Sequence, residues 1–162
     1  MKKEIKIRNA KIDDIPIIRE LIHELAVYEK LEDEMTASNE DLKKTLFEQK
    51  HAEVLIAEYD SMPVGFALFF HNYSTFLGKP GLYLEDLFVK ETYRGRGIGK
   101  QLLIKLAKIA KDRNCGRFEW SVLDWNTPSI NFYLKMGAVP MDDWTVYRVT
   151  GQALDDLSKM SD

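Results

Sequence analysis

The 162-residue chain has very little cysteine, no long apolar run and no excess of basic residues. Its single cysteine, Cys115, cannot form a disulfide within the chain. No segment approaches the roughly 18 consecutive apolar residues of a membrane-spanning helix, so we expect no membrane partner. The N-terminal sequence MKKEIKIRNA alternates charged and apolar residues and lacks the apolar core of a signal peptide. These absences predict a cytoplasmic protein.

The charge balance argues against a nucleic-acid partner. Lys and Arg total 23 against 26 Asp and Glu, which gives a formal net charge of -3. Proteins that bind the phosphate backbone rely on positive charge, so we expect no nucleic acid to bind. The three histidines, His23, His51 and His71, do not have the spacing of a metal site, and no metal is expected.

Two common phosphate-binding motifs are also missing, although YRGRGIGKQL (93–102) resembles both. A Walker loop ending at Gly99 and Lys100 would need Gly at position 94 and Ser or Thr at position 101. A dinucleotide fingerprint starting at Gly95 would need Gly at position 100. The phosphate interpretation therefore depends on the context of the segment.

That context favours an anion site. The segment follows an apolar strand pattern and opens an amphipathic helix, where unpaired backbone N–H groups and the helix dipole attract negative charge. Glycines at alternate positions allow close approach of the backbone, and Arg94, Arg96 and Lys100 add positive charge. The alternative is a solvated turn in which glycine only supplies positive φ.

Length and an apolar content of 45% predict one domain, residues 1–162. The order β-α-α-β-β-β-α-β-α-β predicts an α/β fold with a mixed sheet and a right-handed crossover through the glycine-rich loop. Ser38 is predicted to cap the second helix and Thr127 the fourth, with Gly137 ending the fourth. The expected strands are 4–10, 52–59, 64–73, 81–90, 117–125 and 144–150, and the expected helices are 13–30, from Ser38, 98–114, 127–136 and the last dozen residues.

A family resemblance joins these features. Arg94-x-x-Gly97-x-Gly99 matches the [RQ]-x-x-G-x-[GA] acyl-CoA signature of the GNAT N-acetyltransferases. YLEDLFV (83–89) and DWNTPSINFYLKMGA (124–138) resemble the branch of polyamine (spermidine/spermine, or diamine) and thialysine acetyltransferases, over nearly the whole chain. The resemblance implies one acetyltransferase domain with a GNAT-type mixed, mostly antiparallel sheet, whose splayed central parallel strands, 82–89 and 117–123, are flanked by helices. It also implies acetyl-CoA as co-substrate, a small primary amine as acceptor, and a homodimer.

The resemblance assigns cofactor roles to individual residues. Backbone groups of 87–89 would pair with the pantetheine arm, the glycine-rich loop would hold the pyrophosphate, and a side chain on the fourth helix would lie beside the thioester sulfur. The residues so assigned are Leu87, Phe88, Val89, Arg94, Gly95, Arg96, Gly97, Ile98, Gly99, Lys100, Asn126, Ser129 and Tyr133.

The chemistry requires an acid and a base. An alkylammonium with a pKa of about 10.4 is neutral in only about one molecule in two thousand at pH 7, so a group must remove its proton. We predict that Glu85 does so through water and that Tyr133 protonates the departing thiolate. Alternatively, Glu85 pairs with a nearby cation, and Tyr133 packs on its own helix. Because Glu85 and Asp86 are neighbours in a strand, only a bulge, which the family has near here, would let both face one side.

The acceptor prediction rests on acidic residues. Residues 29–41 contain six acidic side chains and one basic residue, a pattern that also fits a solvated surface. The resemblance places Tyr28 and Glu29 at the amine, together with Glu85, and their charge would favour a di- or polycation. The open alternatives are a protein lysine or N-terminal acetyltransferase and a CoA-binding module without turnover.

Overall fold

The computed structural model describes residues 3–161. It forms two compact units, one ending at Leu123 and one beginning at Asp124, which are described separately. The first unit contains one sheet with strand order β1-β2-β3-β4-β5. Neighbouring strands are antiparallel except β4 and β5, which are parallel. The predicted mixed, mostly antiparallel sheet is confirmed. The strands are β1 (Ile5–Asn9), β2 (Glu53–Tyr59), β3 (Met62–Ser74), β4 (Lys79–Val89) and β5 (Phe118–Trp120).

Three helices belong to this unit. They are α1 (Ile15–Tyr28), the one-turn α2 (Asn39–Leu42), which continues as a π-helical segment over Lys43–Glu48, and α3 (Ile98–Asp112). Short 3-10 turns cover Ile12–Asp14, Glu32–Glu34 and Glu91–Tyr93. The second unit contains α4 (Thr127–Lys135) and α5 (Gly151–Ser158).

The apolar stripe of α1 covers one face of the sheet. Ile18 and Leu21 are fully buried against Ile56, Phe66 and Phe88 of three neighbouring strands. Burial of one such side chain contributes about 1.5–3 kcal/mol, so the stripe fixes the helix on the sheet. As a result, the end of α1 lies near the end of β4.

The opposite face of the sheet carries α3. The apolar stripe predicted for this helix is buried at Ile98, Leu102, Leu103, Leu106 and Ala110, whereas Ala107, which was expected to belong to it, is exposed. The strand residues that alternate with the α1-facing set, such as Leu55 and Phe69, are buried too. A sheet covered on both faces leaves the strand ends as the accessible places for a ligand.

Some element boundaries differ from the predictions. The Ser38 cap is confirmed, because its hydroxyl accepts from the Asp41 N–H while its own N–H donates to the Asp41 carboxylate. The fourth helix is capped by Asn126 instead of Thr127. Residues 144–150 form no strand, so that prediction was wrong. Residues 144–150 are rich in β-branched and aromatic residues, but a strand also needs a hydrogen-bonded neighbour. The described residues of the second unit contain no strand that could supply one.

Candidate active site

A gap opens beside β4 where β5 stops following it. The two strands are paired only from Leu82 to Leu84, opposite Phe118 to Trp120. Beyond Leu84, β4 continues to Val89 along β3 alone. The predicted divergence of these parallel strands is therefore present, and it leaves one edge of 85–89 without a strand partner among residues 3–161.

A bulge at Glu85 changes which way β4 faces. Leu84 lies opposite Phe69 and Asp86 lies opposite Leu68, so Glu85 is the extra residue between two consecutive partners. Without the bulge, Asp86 would lie on the same side as the buried Leu84. With it, Asp86 lies on the side of Phe88, which packs against α1.

The same bulge redirects the backbone. The Lys90 N–H donates to the Val64 carbonyl of β3. In an antiparallel ladder every second residue is hydrogen-bonded to the neighbouring strand, so the backbone N–H and carbonyl of Phe88 also point toward β3. Those of Leu87 and Val89 point to the gap, where the Val89 carbonyl accepts from Arg94 Nε at 2.9 Å. Leu87 and Val89 thus fit the predicted pairing with an extended pantetheine arm, whereas Phe88 contributes its ring to the core.

Three carboxylates interact on the α1 side of the bulge. Burial, and then the charges of Glu85 and Glu29, raise the pKa of Asp86 from an ordinary 3.8 to about 7. Burial, and then the charge of Glu85, raise the pKa of Glu29. Within the part of the chain that the structure describes, none of the three forms an ion pair. We call Glu29, Glu85 and Asp86 the acidic cluster; it lacks a cation.

The glycine-rich loop has the backbone geometry of an anion site. Gly95 and Gly97 have φ of 76° and 83°, in the left-handed region where a Cβ is strained. Gly97 is the N-cap residue of α3 and supplies no side-chain cap, so the first N–H groups of that helix are open to a ligand. A Cβ on either glycine would meet no atom within 4 Å. The side of the loop that exposes Gly95 and Gly97 thus has room for a pyrophosphate. The buried Ile98 side chain fixes the loop to the core.

The three cations of the loop take different positions. The Arg94 guanidinium lies 4.6 Å from the centroid of the Tyr28 ring and 5.4 Å from that of Phe88, which joins the loop to the end of α1. Arg96 turns toward Tyr59. Lys100 is exposed on the first turn of α3. The ring of Tyr28, a predicted substrate residue, thus makes a cation–π contact with Arg94.

The second unit carries the remaining predicted residues. Asn126 is buried, and its side-chain oxygen accepts from the Ser129 N–H at 3.4 Å, which starts α4. Tyr133 lies in the last part of α4, with its ring centroid 5.6 Å from that of Phe132. The Ala138 N–H donates to the Tyr133 carbonyl as the helix ends before Gly137, whose φ is 91°. The cofactor roles of these residues stay predictions.

Residues 3–161 contain neither a candidate metal site nor a helix suited to a membrane. No group of three His, Cys, Asp or Glu side chains there could hold a metal ion. No described helix has the length and apolar character needed to cross a bilayer.

The model of the Acetyltransferase (GNAT) family matches residues 18–138, which include most of α1, the bulge, the glycine-rich loop and α4. The chain belongs to the GNAT acetyltransferase family. Members of the family use acetyl-CoA, as predicted from the loop signature.

The most informative GNAT relatives act on small amines. The thialysine N-epsilon-acetyltransferase of Bos taurus is 38% identical, over 95% of this chain and 97% of its own length. The L-ornithine N5-acetyltransferase of Arabidopsis thaliana is 34% identical, over 96% of this chain and 89% of its own. A solved integron cassette protein from the mobile metagenome of V. cholerae has a TM-score of 0.79 and 29% identity, covering 96% and 98% of the two chains. These GNAT proteins confirm the predicted family branch, fold and enzyme class.

Asp86 is the residue that reasoning from the sequence missed. Regular strand alternation would place Asp86 on the side opposite Glu85, so the sequence alone assigns it no role. A sequence signal existed: two adjacent acids interrupt an otherwise apolar strand pattern, which is typical of a bulge.

Proposed function

We propose that the chain transfers the acetyl group of acetyl-CoA directly to a primary amine of a small di- or polycation, such as a diamine, a polyamine or a lysine-like compound. The acidic cluster is the observation that carries this proposal. It collects three carboxylates, one of them largely buried, next to the strand edge that fits the pantetheine arm.

The energetics of the cluster favour a cationic ligand. Burial, and then repulsion by the other two carboxylates, raise the pKa of Asp86, and the three form no ion pair among the described residues. An ammonium group about 4 Å from a partly buried carboxylate interacts with it by roughly 4 kcal/mol at an effective dielectric constant near 20. A second ammonium group on the same molecule would engage another carboxylate, so a dication gains more than a monoamine. The relatives named for ornithine and thialysine are consistent with this class.

The chemistry follows from the proposed roles. Glu29 and Asp86 hold the cationic acceptor, and Glu85 takes a proton from the amine through water. The amine nitrogen then forms a bond to the thioester carbonyl carbon. The carbonyl oxygen, which becomes negatively charged, accepts a hydrogen bond from a backbone N–H on the gap side of β4. The carbon–sulfur bond breaks, and Tyr133 gives its proton to the leaving thiolate. The second proton that the nitrogen loses as it becomes an amide passes through water to the Tyr133 phenolate, which restores the phenol. Asn126 and Ser129 contact the cofactor arm, and residues 94–100 hold the pyrophosphate.

The decisive experiment measures thiol release from acetyl-CoA with spermidine, putrescine, thialysine, lysine, a monoamine and a lysine-containing peptide. We expect turnover with at least one small di- or polyamine and much weaker turnover with the monoamine. A preference for the peptide would indicate a protein acetyltransferase. CoA binding without release from any amine would reject the enzymatic function.

Variants test the roles within that assay. Glu29→Gln should raise KM for a diamine about tenfold or more while changing KM for acetyl-CoA little, because it removes charge from the acidic cluster only. Glu32→Gln, on the exposed 3-10 turn, is the matched control and should change neither. Tyr133→Phe should lower kcat with little effect on acetyl-CoA affinity; an unchanged kcat would remove Tyr133 as the acid.

The proposal extends to assembly and location. We propose that residues 1–162 act as one domain, that the chain is a homodimer in the cytoplasm, and that it has no nucleic-acid partner. The family resemblance and the net charge of -3 support these statements. Light scattering coupled to gel filtration would test the dimer, and a mass of one chain would contradict it.

A further inference from the structure

A second concave surface lies beside the glycine-rich loop. It is a cavity of about 320 Å³ between the turn that joins β2 to β3 and the loop that joins β4 to α3. We call it the turn pocket. Its lining residues are Lys3, Tyr59, Asp60, Met62, Thr92, Tyr93 and Arg96. Apart from Arg96, which belongs to the pyrophosphate loop, the catalytic scheme above uses none of these residues.

Arg96 links the turn pocket to the pyrophosphate loop. Its backbone lies between Gly95 and Gly97, the two left-handed glycines. Its side chain turns into the pocket, where Nη1 donates to the Tyr59 hydroxyl at 3.0 Å and Nη2 to the Thr92 carbonyl at 3.5 Å. A guanidinium has five N–H donors, so these two bonds orient the group and leave donors for a ligand.

Aromatic rings hold the cations of the pocket in place. The Arg96 guanidinium lies 5.0 Å from the Tyr59 ring centroid and 5.7 Å from that of Tyr93. Lys3 Nζ lies 5.7 Å from the Tyr59 centroid. Such contacts fix a cation without neutralising it, so both keep their charge for an anion.

The charge of the pocket is positive although that of the chain is negative. Lys3 and Arg96 face one lining carboxylate, Asp60. That carboxylate is already engaged, since its Oδ1 accepts from the Glu4 N–H at 3.1 Å, which ties it to the strand leading into β1. The excess of one positive charge, with oriented donors, suits a phosphate monoester.

We propose that the turn pocket binds the 3′-phosphate of coenzyme A through Arg96 and Lys3, with Tyr59 holding Arg96 in position. This inference rests on the proposed use of acetyl-CoA. In that molecule the 3′-phosphate and the pyrophosphate are attached to the same ribose. The 3′-phosphate therefore lies close to the pyrophosphate, and a cationic side chain that projects from the pyrophosphate loop can reach it.

Isothermal titration calorimetry on the full chain, with CoA and 3′-dephospho-CoA as ligands, tests the proposal. We expect the wild-type protein to bind CoA about tenfold or more tightly than dephospho-CoA, as expected for charge-assisted hydrogen bonds. Lys3→Ala and Arg96→Ala should each reduce that ratio severalfold. Lys3→Ala should leave dephospho-CoA binding unchanged. Lys108→Ala, an exposed cation on α3, removes the same charge elsewhere and should preserve the ratio.

Two further variants separate a local role from damage to the loop. Arg96→Lys should keep part of the ratio, and Tyr59→Phe should lower it because Arg96 loses the hydroxyl that orients it. Equal affinity of the wild-type protein for the two ligands would overturn the proposal. Binding of neither ligand would instead reject acetyl-CoA as the donor. Binding of inorganic phosphate or adenosine 3′,5′-bisphosphate to CoA-saturated protein would also overturn it, because the pocket would then serve a separate anion.

Discussion

Asp86→Asn should make the protein more stable than wild type at pH 8, by a margin that is much smaller at pH 5. Burial and two neighbouring carboxylates raise the pKa of Asp86 from 3.8 to about 7, so the folded state prefers the protonated form. A carboxyl group with a raised pKa stabilises the fold fully below its unfolded pKa. That stabilisation is lost as pH rises through the folded pKa. The relevant window is therefore about pH 4 to 7.

The size of the effect follows from the shift. The full shift corresponds to about 4 kcal/mol, of which about 2.5 kcal/mol falls between pH 5 and pH 8. Water near the cluster screens part of the repulsion, so we expect a change of about 1–2.5 kcal/mol. Asparagine is nearly the same size and carries no charge, so it should remove this pH dependence with little change in packing.

Urea unfolding at pH 5, 6, 7 and 8 would measure the difference between wild type and variant. Asp112→Asn, an exposed carboxylate at the end of α3, is the control and should follow wild type throughout. If the difference in unfolding free energy between Asp86→Asn and wild type is the same at every pH, the raised pKa of Asp86 does not affect stability as expected. A diamine at pH 8 should also stabilise wild type more than the variant, because only wild type offers the third charge of the acidic cluster.

Three further predictions concern stability and can be measured by urea unfolding at pH 7. Arg8→Met should lower the free energy of unfolding by about 3 kcal/mol, because Arg8 donates to both carboxylate oxygens of the buried Asp14, at 2.7 and 2.9 Å. This loss should become smaller below pH 4, because Arg8 lowers the pKa of Asp14 and the protonated carboxyl group no longer attracts it. Gly97→Ala should cost roughly 1 kcal/mol at its φ of 83°, whereas Gly99→Ala, with Val89 4.0 Å away, should cost little. Equal costs would contradict the conformational explanation. Ser38→Ala should cost about 1 kcal/mol, and no loss would mean that the cap bond is replaced by water.

Local sequence patterns predicted most of the fold because their causes are local. The 3.6-residue stripe of α1, the β-rich apolar runs of β2 and β3, and the Ser38 capping box all depend on residues a few positions apart. The segment 144–150 shows the limit of this reasoning. It is rich in β-branched and aromatic residues, as many strands are, yet strand formation also requires a partner edge that no local pattern encodes.

The candidate site divides in the same way. The amino-acid sequence by itself determined the glycine-rich loop, because left-handed glycines and the start of a helix are local properties, and it determined the family through the signature around Arg94. Only the tertiary structure decided that Asp86 joins Glu29 and Glu85, since the bulge depends on how β4 registers against β3 and the contact with Glu29 depends on where α1 packs. It also decided the turn pocket, where Arg96 meets Tyr59, a residue 37 positions away along the chain. Long-range register and packing thus select which charges act together, and a linear pattern does not contain that information.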